Sequence, residues 1–337
     1  MKNLSSFEKL LFFLNSIFAF FLFASYLIPF IPPKVTATIS VLSLSMPILI
    51  LVNLVCMLFW ILKLKKQFFL SLFVLGIGYI YVNAFFQFGK KEPIASDLKL
   101  MSYNVRLFNA YKWSKKNDLD KNIYEFINIK SPDIISFQEY YQKKSNSLDY
   151  PYKYIKKNWG ATTSGQAIFS KYKIFNKGSL DFSHSGNNAI YADIVFKNDT
   201  IRIYNIHLQS FSIDKNKENF GQKDTEKLLN RFRTTFSKQE TQVKKILEHS
   251  SSCTYKTIFM GDFNNTAFSW VYKQLKQGKK DAFIEAGTGF GKSFDYIFPF
   301  RIDFILADAK ISIEDFTTYD VKYSDHYPIM ARINLEK

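Results

Sequence analysis

Asp262 and Asn264, in the run IFMGDFN, have the spacing that speaks most directly of chemistry in this chain. Gly261 allows a tight turn where the apolar run ends, so both polar side chains can face one site while Phe263 is buried behind them. Further along, RIDFIL sets Asp303 inside an apolar stretch, and YSDHYP puts Asp325 beside His326. A buried carboxylate needs a partner, and His326 is the natural one for Asp303. Such a pair fixes the imidazole tautomer and raises its basicity. Upstream lie Asn104 in LMSYNVR, Glu139 in DIISFQE and His207 in IYNIHLQ. Carboxylates, amides and imidazoles gathered at one rim are the parts needed to hold a hard metal ion and cleave a phosphate ester, with Glu139 the obvious cation ligand.

Each motif alone is weak. A Gly-Asp after a strand is most often only a turn, and Asn commonly starts one. A Glu at a strand end is usually solvated, and a lone strand histidine is more often structural than catalytic. Neighbours on a strand point opposite ways, so Asp325 and His326 share a site only if the chain turns there, which Pro328 permits. The other two histidines have no comparable setting: His184 lies in a Ser/Gly/Asn-rich loop, and His249 ends a helical segment where it suits the dipole.

The elements that must position these residues are short apolar runs, each ending in acid, amide or imidazole, as strands do when they deliver side chains to one rim of a sheet. Strands are expected at Leu98–Val105, Ile134–Phe137, Tyr152–Ile155, Ala167–Phe169, Ile190–Phe196, Ile201–His207, Thr257–Met260, Arg301–Leu306 and Pro328–Ile333. Helical spacing marks Asn117–Ile129, Thr225–Glu248 and Phe268–Leu275, and Gln209–Gly221 reads as a polar loop. Many strands with interspersed helices indicate a layered α/β domain over residues 98–337.

Residues 1–89 are of another kind. The stretches 10–33, 35–62 and 67–89 contain no Asp, Glu, Lys or Arg, and each exceeds the roughly 20 residues needed to cross a ~30 Å hydrocarbon core. They read as three transmembrane helices, at about 10–31, 37–62 and 67–88, without the polar face of a globular helix. The first is no cleaved signal peptide: it is too long, lacks a small-residue cleavage site and is followed by Pro29, Pro32 and Pro33. Pro47 in the second is tolerable in a membrane helix. Lys2 and Lys9 before the first span, with Lys63, Lys65 and Lys66 between the second and third, belong on the cytoplasmic side. The C-terminal domain of an integral membrane protein is then expected on the extracytoplasmic side, although Lys34, Lys90 and Lys91 weigh the other way. Residues 90–97, with Pro93, form the linker.

The net charge of +16 divides as +7 for residues 1–91 and +9 for the rest, from 37 basic against 28 acidic residues. A basic domain beside a bilayer favours anionic substrates, but no dense Lys/Arg block marks a nucleic-acid tail. Cys56 falls in a span and Cys253 stands alone, so no disulfide can form within the soluble domain.

In their order, Asn104, Gln138-Glu139, Asn205-x-His207, Gly261-Asp262-Phe263-Asn264, Asp303 and Ser324-Asp325-His326 resemble the motif series of the endonuclease/exonuclease/phosphatase superfamily. The resemblance covers about residues 97–337, and GQAIFSK at 165–171 looks like the family's strand between the second and third motifs. It implies a four-layer sandwich, two packed β-sheets flanked by helices. It also implies Mg²⁺, with Mn²⁺ as a substitute, bound by Glu139 with Asn104 and Asp325 close by. Asp262 and Asn264 would orient the attacking water and the phosphate. His326, paired with Asp303, would act as general base or phosphate-binding group, and His207 would stabilise charge on the phosphoryl oxygens.

Arg106 stands where apurinic endonucleases of the family carry an acid, and His207 where they carry a Tyr. Both departures point to the deoxyribonuclease and sphingomyelinase side, and Arg106, by occupying part of a second cation site, implies one tightly bound metal. The expected function is a membrane-anchored phosphodiesterase acting on a phospholipid headgroup, nucleic acid or small phosphodiester, held in a lipid bilayer by its spans. The alternatives are a nuclease and a catalytically silent binding module. No protein partner is predictable, and specificity is expected in Tyr141–Pro151, Gln209–Gly221 and Gly287–Ser293.

Overall fold

The computed structural model describes residues 4–89, 98–142, 148–158, 164–211, 222–296 and 298–335. The linker 90–97, residues 143–147 of the first expected specificity loop and 212–221 of the second lie outside the described residues.

Among the described residues, two six-stranded sheets form the C-terminal domain. One contains β1 (Leu98–Asn104), β2 (Ile134–Tyr141), β3 (Tyr152–Lys157), β4 (Ser164–Ser170), β11 (Ser312–Thr318) and β12 (Ile329–Asn334), in the order β11-β12-β1-β2-β4-β3. The other contains β5 (Ile174–Ser179), β6 (Ala189–Phe196), β7 (Asp199–His207), β8 (Lys256–Asp262), β9 (Lys279–Asp281) and β10 (Asp303–Asp308), in the order β5-β6-β7-β8-β10-β9. Both sheets are mixed: β1 runs parallel to β2 and β7 parallel to β8, while the neighbouring pairs are antiparallel.

The sheets pack face to face through Leu100, Ile134 and Ile168 of the first and Ile203, Ile258, Met260 and Ile305 of the second, all fully buried. Successive strand side chains alternate faces. Phe259, between Ile258 and Met260, therefore points outward with Tyr204 and Phe304, beneath Val243 and Ile246 of the long helix Gln222–Ser251. On the far side, the helix Leu119–Lys130 lays Ile123, Phe126 and Ile127 over Met101, Tyr103 and Phe137. Helix, sheet, sheet and helix make the expected four layers.

Three strands were not legible in the pattern: β5, β9 and β11. All three are sheet edges, where one side pairs with nothing and polar residues such as Lys177, Lys279 and Glu314 replace the apolar run. The expected strand at Ile134–Phe137 runs on to Tyr141 through a register shift between Phe137 and Tyr140.

The N-terminal region folds as three helical segments long and apolar enough to cross a membrane: Ser6–Phe30, Ile39–Leu62 and Phe68–Phe85. The first opens on a capping box of Ser5 and Glu8. The segments do have a narrow, uncharged polar seam, which the sequence did not lead us to expect. Asn15 Nδ2 donates to Ser71 Oγ (2.8 Å), Trp60 Nε1 to Asn15 Oδ1 (3.0 Å) and Ser71 Oγ to Asn53 Oδ1 (3.2 Å). Such bonds join helices where apolar burial gives no preference between a neighbour and lipid.

The bundle is docked on the domain. Phe268 inserts among Tyr26, Met46, Leu49 and Val74. The turn between the first two segments bonds the long helix, Lys34 N–H to Glu240 Oε2 (2.8 Å) and Arg233 Nε to Thr38 Oγ1 (2.7 Å). The end of the third meets the domain through Arg301 Nη2, which donates to the Ala84 carbonyl (3.3 Å), and through a bridge of Gln87 with Gly289.

Candidate active site

Register builds the first half of the site. His207 ends β7 opposite Asp262 of β8, and Asp262 stands opposite Asp303 of β10. Three site residues thus lie side by side on adjacent strands at one rim, all nearly inaccessible to solvent. Gly261 makes this possible: its φ is +144°, and a Cβ there would sit 1.9 Å from the Ile206 carbonyl oxygen of β7. Only glycine lets β8 lie that close. Beyond the strand, Asn264 adopts φ 47°, its N–H donating to Asp262 Oδ1 (2.8 Å) and its Nδ2 to Asp262 Oδ2 (3.2 Å) and the Leu208 carbonyl (2.9 Å). Gln239, from the long helix, holds this loop through the Asn264 carbonyl (3.2 Å) and Asn265 Nδ2 (2.9 Å).

His326 arrives from the other sheet, on the turn before β12, and its Nδ1 lies 2.9 Å from Asp303 Oδ2. Its Nε2 is 3.6 Å from Asp262 Oδ2, as is Nε2 of His207. The expected Asp303–His326 pair is therefore present. Ser324 shapes the turn that brings Asp325 and His326 to one site: its Oγ donates to the Asn104 carbonyl (2.8 Å) and accepts the His326 N–H (3.3 Å).

The second half comes from β1 and β2. Asn104 faces Gln138 in parallel register, and the bulge after Phe137 turns Glu139 into the cleft at φ 49°. Asn104 Nδ2 donates to Asp262 Oδ2 (3.1 Å) and to Glu139 Oε1 (3.4 Å), so it links the two halves. Arg106 Nη1 pairs with Asp325 Oδ2 at 2.9 Å. Arg106, Leu107, Phe108 and Asn109 all have positive φ, as do Glu139 and Asn264. Left-handed non-glycine residues persist where the surroundings over-determine them, and here they crowd the site.

The electrostatics differ between the halves. Burial first, and the neighbouring His326 second, lower the His207 pKa to about 3. Burial would lower His326 too, but the carboxylates of Asp303 and Asp262 override it and raise its pKa. Asp262 is raised, by burial first and then by Asp303, against the opposing pull of His326. Glu139 is also raised, chiefly by burial and then by the facing Asp325 carboxylate.

Two carboxylates that oppose each other beside an amide are the oxygen donors a Mg²⁺-sized cation uses, and such an ion takes one or two carboxylates and fills its remaining positions with water and phosphate. Glu139 and Asp325 fit that description. Asn104 as it stands presents its amide nitrogen to the acids, so serving as a ligand would require the amide to turn over. Asp262, Asp303 and His326 also bring ligand atoms within 4.8 Å of one another. Their close pairing through the imidazole suits a shared proton better than a cation.

Comparison with known proteins agrees with this arrangement. The model of the Endonuclease/Exonuclease/phosphatase family matches residues 101–326. The chain belongs to this family. Its members are hydrolases of phosphate esters and are generally dependent on a divalent metal, and so this chain is an enzyme acting on phosphate ester bonds. A second model, a domain of unknown function (DUF8431), matches residues 8–85. No curated protein matches the chain significantly.

Solved structures with a similar fold include the human Nocturnin catalytic domain with bound sulfate, at 14% identity over 72% of this chain and 96% of that one, TM-score 0.53. Another is D. rerio TDP2 complexed with a single-strand DNA product, at 17% identity over 70% and 98%, TM-score 0.52. A third is a mannosyl-6-phosphatase from Bacteroides thetaiotaomicron, at 18% identity over 70% and 99%, TM-score 0.51. At these identities the likeness is one of fold.

All eight residues singled out in the sequence converge on this cleft. Missing from that set were the amides beneath it. Gln138 Nε2 donates to Asn205 Oδ1 (2.7 Å), Asn205 Nδ2 to the carbonyls of Phe137 (2.8 Å) and Ala167 (2.9 Å), and Gln166 Nε2 to the Asn205 carbonyl (3.1 Å). They tie β2 and β4 of one sheet to β7 of the other under the catalytic rim. Their signal was present, since each falls inside a motif already quoted, but a buried amide network shows only when both sheets are seen together.

Proposed function

We propose that the chain is a membrane-anchored, Mg²⁺-dependent phosphodiesterase. The observation that carries this reading is the row His207–Asp262–Asp303, closed by His326 and facing Glu139 and Asp325 across Asn104. A bound divalent cation on Glu139 and Asp325, with Mn²⁺ as a substitute for Mg²⁺, would supply Lewis-acid polarisation of a phosphoryl oxygen. The chain's own groups account for the rest. Asp262, held by the Asn264 N–H and Asn104 Nδ2, is placed to take a proton from the attacking water, and its raised pKa suits that task near neutrality. His326, kept charged by Asp303, is placed to donate from Nε2 to the phosphoryl oxygens. Neutral His207 offers a second donor on the opposite flank of Asp262. The sequence left His326 open as base or phosphate-binding group; this geometry favours the second.

The test is hydrolysis of bis-p-nitrophenyl phosphate by the full chain in detergent, with Mg²⁺ or EDTA. Chelator-sensitive cleavage, abolished in His326→Ala, is expected. A folded, metal-replete native protein that leaves the diester intact refutes the reading.

The lysines support an extracytoplasmic catalytic domain in a bacterial inner membrane. The turn at Lys34 and the end of the third segment both abut the domain, as they must if it lies opposite Lys63, Lys65 and Lys66. A membrane-impermeant maleimide added to intact cells is expected to label Cys253. Labelling only after permeabilisation would reverse the orientation.

A further inference from the structure

The second apolar segment does more than anchor. A cavity of about 430 Å³ opens from Glu139, Asp262, Asp325 and His326, and its far wall is built by Val41, Leu44, Ser45 and Ile48. Those four positions, spaced by three, one and three residues, form one face of the helix Leu42–Leu62 and the turn that precedes it. Ile48 lies nine residues into the candidate span Ile39–Leu62, roughly 13 Å along its axis at ~1.5 Å per residue. A wall that begins at the catalytic rim thus continues into the part of the helix that hydrocarbon would surround.

The contact is fixed. Thr266 Oγ1 donates to the Ser43 carbonyl (2.6 Å) and Ser43 Oγ to Asn265 Oδ1 (3.2 Å), directly after Asn264 of the catalytic loop. The other walls are aromatic: Phe294, Tyr296, Phe298 and Phe300 from one loop, Phe211 and Phe232 from the opposite side. The Phe294 ring lies 5.0 Å from that of His326. Among the described lining residues there is no Lys or Arg. A polyanionic nucleic acid would need such residues along its backbone; a single phosphate joined to an apolar chain would not.

We infer that the substrate is a lipid phosphate ester, taken laterally from the bilayer with its phosphate at Asp262 and His326 and its hydrocarbon chain along the Val41–Ile48 face. This rests on the phosphodiesterase reading above and narrows it. Bilayer placement suits the geometry, because a lipid could slide its headgroup into the cleft while its tail stays in apolar surroundings.

The experiment uses the full chain in phosphatidylcholine nanodiscs and one leaving group throughout: methyl, octyl and hexadecyl p-nitrophenyl phosphate, with Mg²⁺. kcat/KM is expected to rise at least about tenfold from methyl to hexadecyl ester, because each buried methylene adds apolar contact. Leu44→Gln and Ile48→Gln, made separately so that misfolding of one leaves the other, are each expected to flatten that rise. Hydrolysis with no chain-length preference, or a preference that both variants retain, overturns the lipid inference and leaves the phosphodiesterase reading standing. An oligonucleotide cleaved faster than any alkyl ester overturns it as well. Release of no p-nitrophenol from any ester removes the underlying reading too.

Discussion

In the sheet that carries β7, β8 and β10, the site residues stand in one hydrogen-bonded register, dry and held from several sides. In the other sheet, Glu139 and Asp325 are delivered by a bulge and a turn and remain partly open to the cleft, with Arg106 on Asp325. The first half keeps its charges close enough to displace one another's protons; the second presents oxygen donors with room around them. Proton handling needs fixed distances and little water, whereas a hard cation needs flexible, part-hydrated ligands. The two proposed chemistries thus divide between the row around Asp262, which His326 joins from the other sheet, and the Glu139–Asp325 pair.

The largest effect is expected in the inner row. Asp262→Asn preserves the shape but removes the proposed base, and kcat on the diester should fall on the order of 10³-fold without recovery at high Mg²⁺. In the outer half, Glu139→Gln should instead weaken divalent-metal affinity on the order of 10- to 100-fold, read by calorimetric titration, with much of the activity returning as Mg²⁺ is raised. If both variants respond alike to added metal, the division between the halves is wrong. A smaller effect follows from the amides that join them. Asn205→Ala leaves the Phe137 and Ala167 carbonyls and the Gln138 amide short of a partner, and is expected to cost about 1–3 kcal/mol, measured as a lowered thermal midpoint of the full chain. Loss of activity without loss of stability would show that the network tunes the site rather than supports it.

How much of this the sequence made legible follows the same division. Asp262, Asp303 and His207 could be read because each interrupts or ends an apolar run, and a strand delivers its last residue to the rim whatever the tertiary detail. Asp325 and His326 could be named but not placed, since their joint use depends on the turn that Ser324 holds against Asn104. Glu139 was expected at a strand end; the bulge that aims it leaves no trace in hydrophobic period. The edge strands β5, β9 and β11 were missed because nothing apolar need lie on an unpaired flank, whereas the edge strand β3 was legible from its Tyr152–Ile155 run. The three apolar segments were plain from length and composition, yet neither shows that Leu44 and Ile48 face the catalytic acids. That depends on the rotation of one helix, which Thr266 and Asn265 set through Ser43.

The finest test of the contrast is the protonation of His207. Folding holds its pKa near 3 by burial first and by the charge on His326 second, against about 6.5 in an unfolded chain. A folded pKa below the unfolded one means that the contribution is fully present above pH 6.5 and is lost progressively as pH falls from there towards 3, because only the unfolded chain then takes up the proton. The native protein should therefore lose about 1 kcal/mol of stability relative to His207→Gln between pH 7.5 and 5.5, measured by denaturant unfolding of both at each pH. A constant difference between them would mean that folded His207 binds a proton as readily as the unfolded chain does. The inner row would then hold two imidazolium ions around Asp262, and His207 would be a second cationic arm for the phosphate instead of a neutral donor.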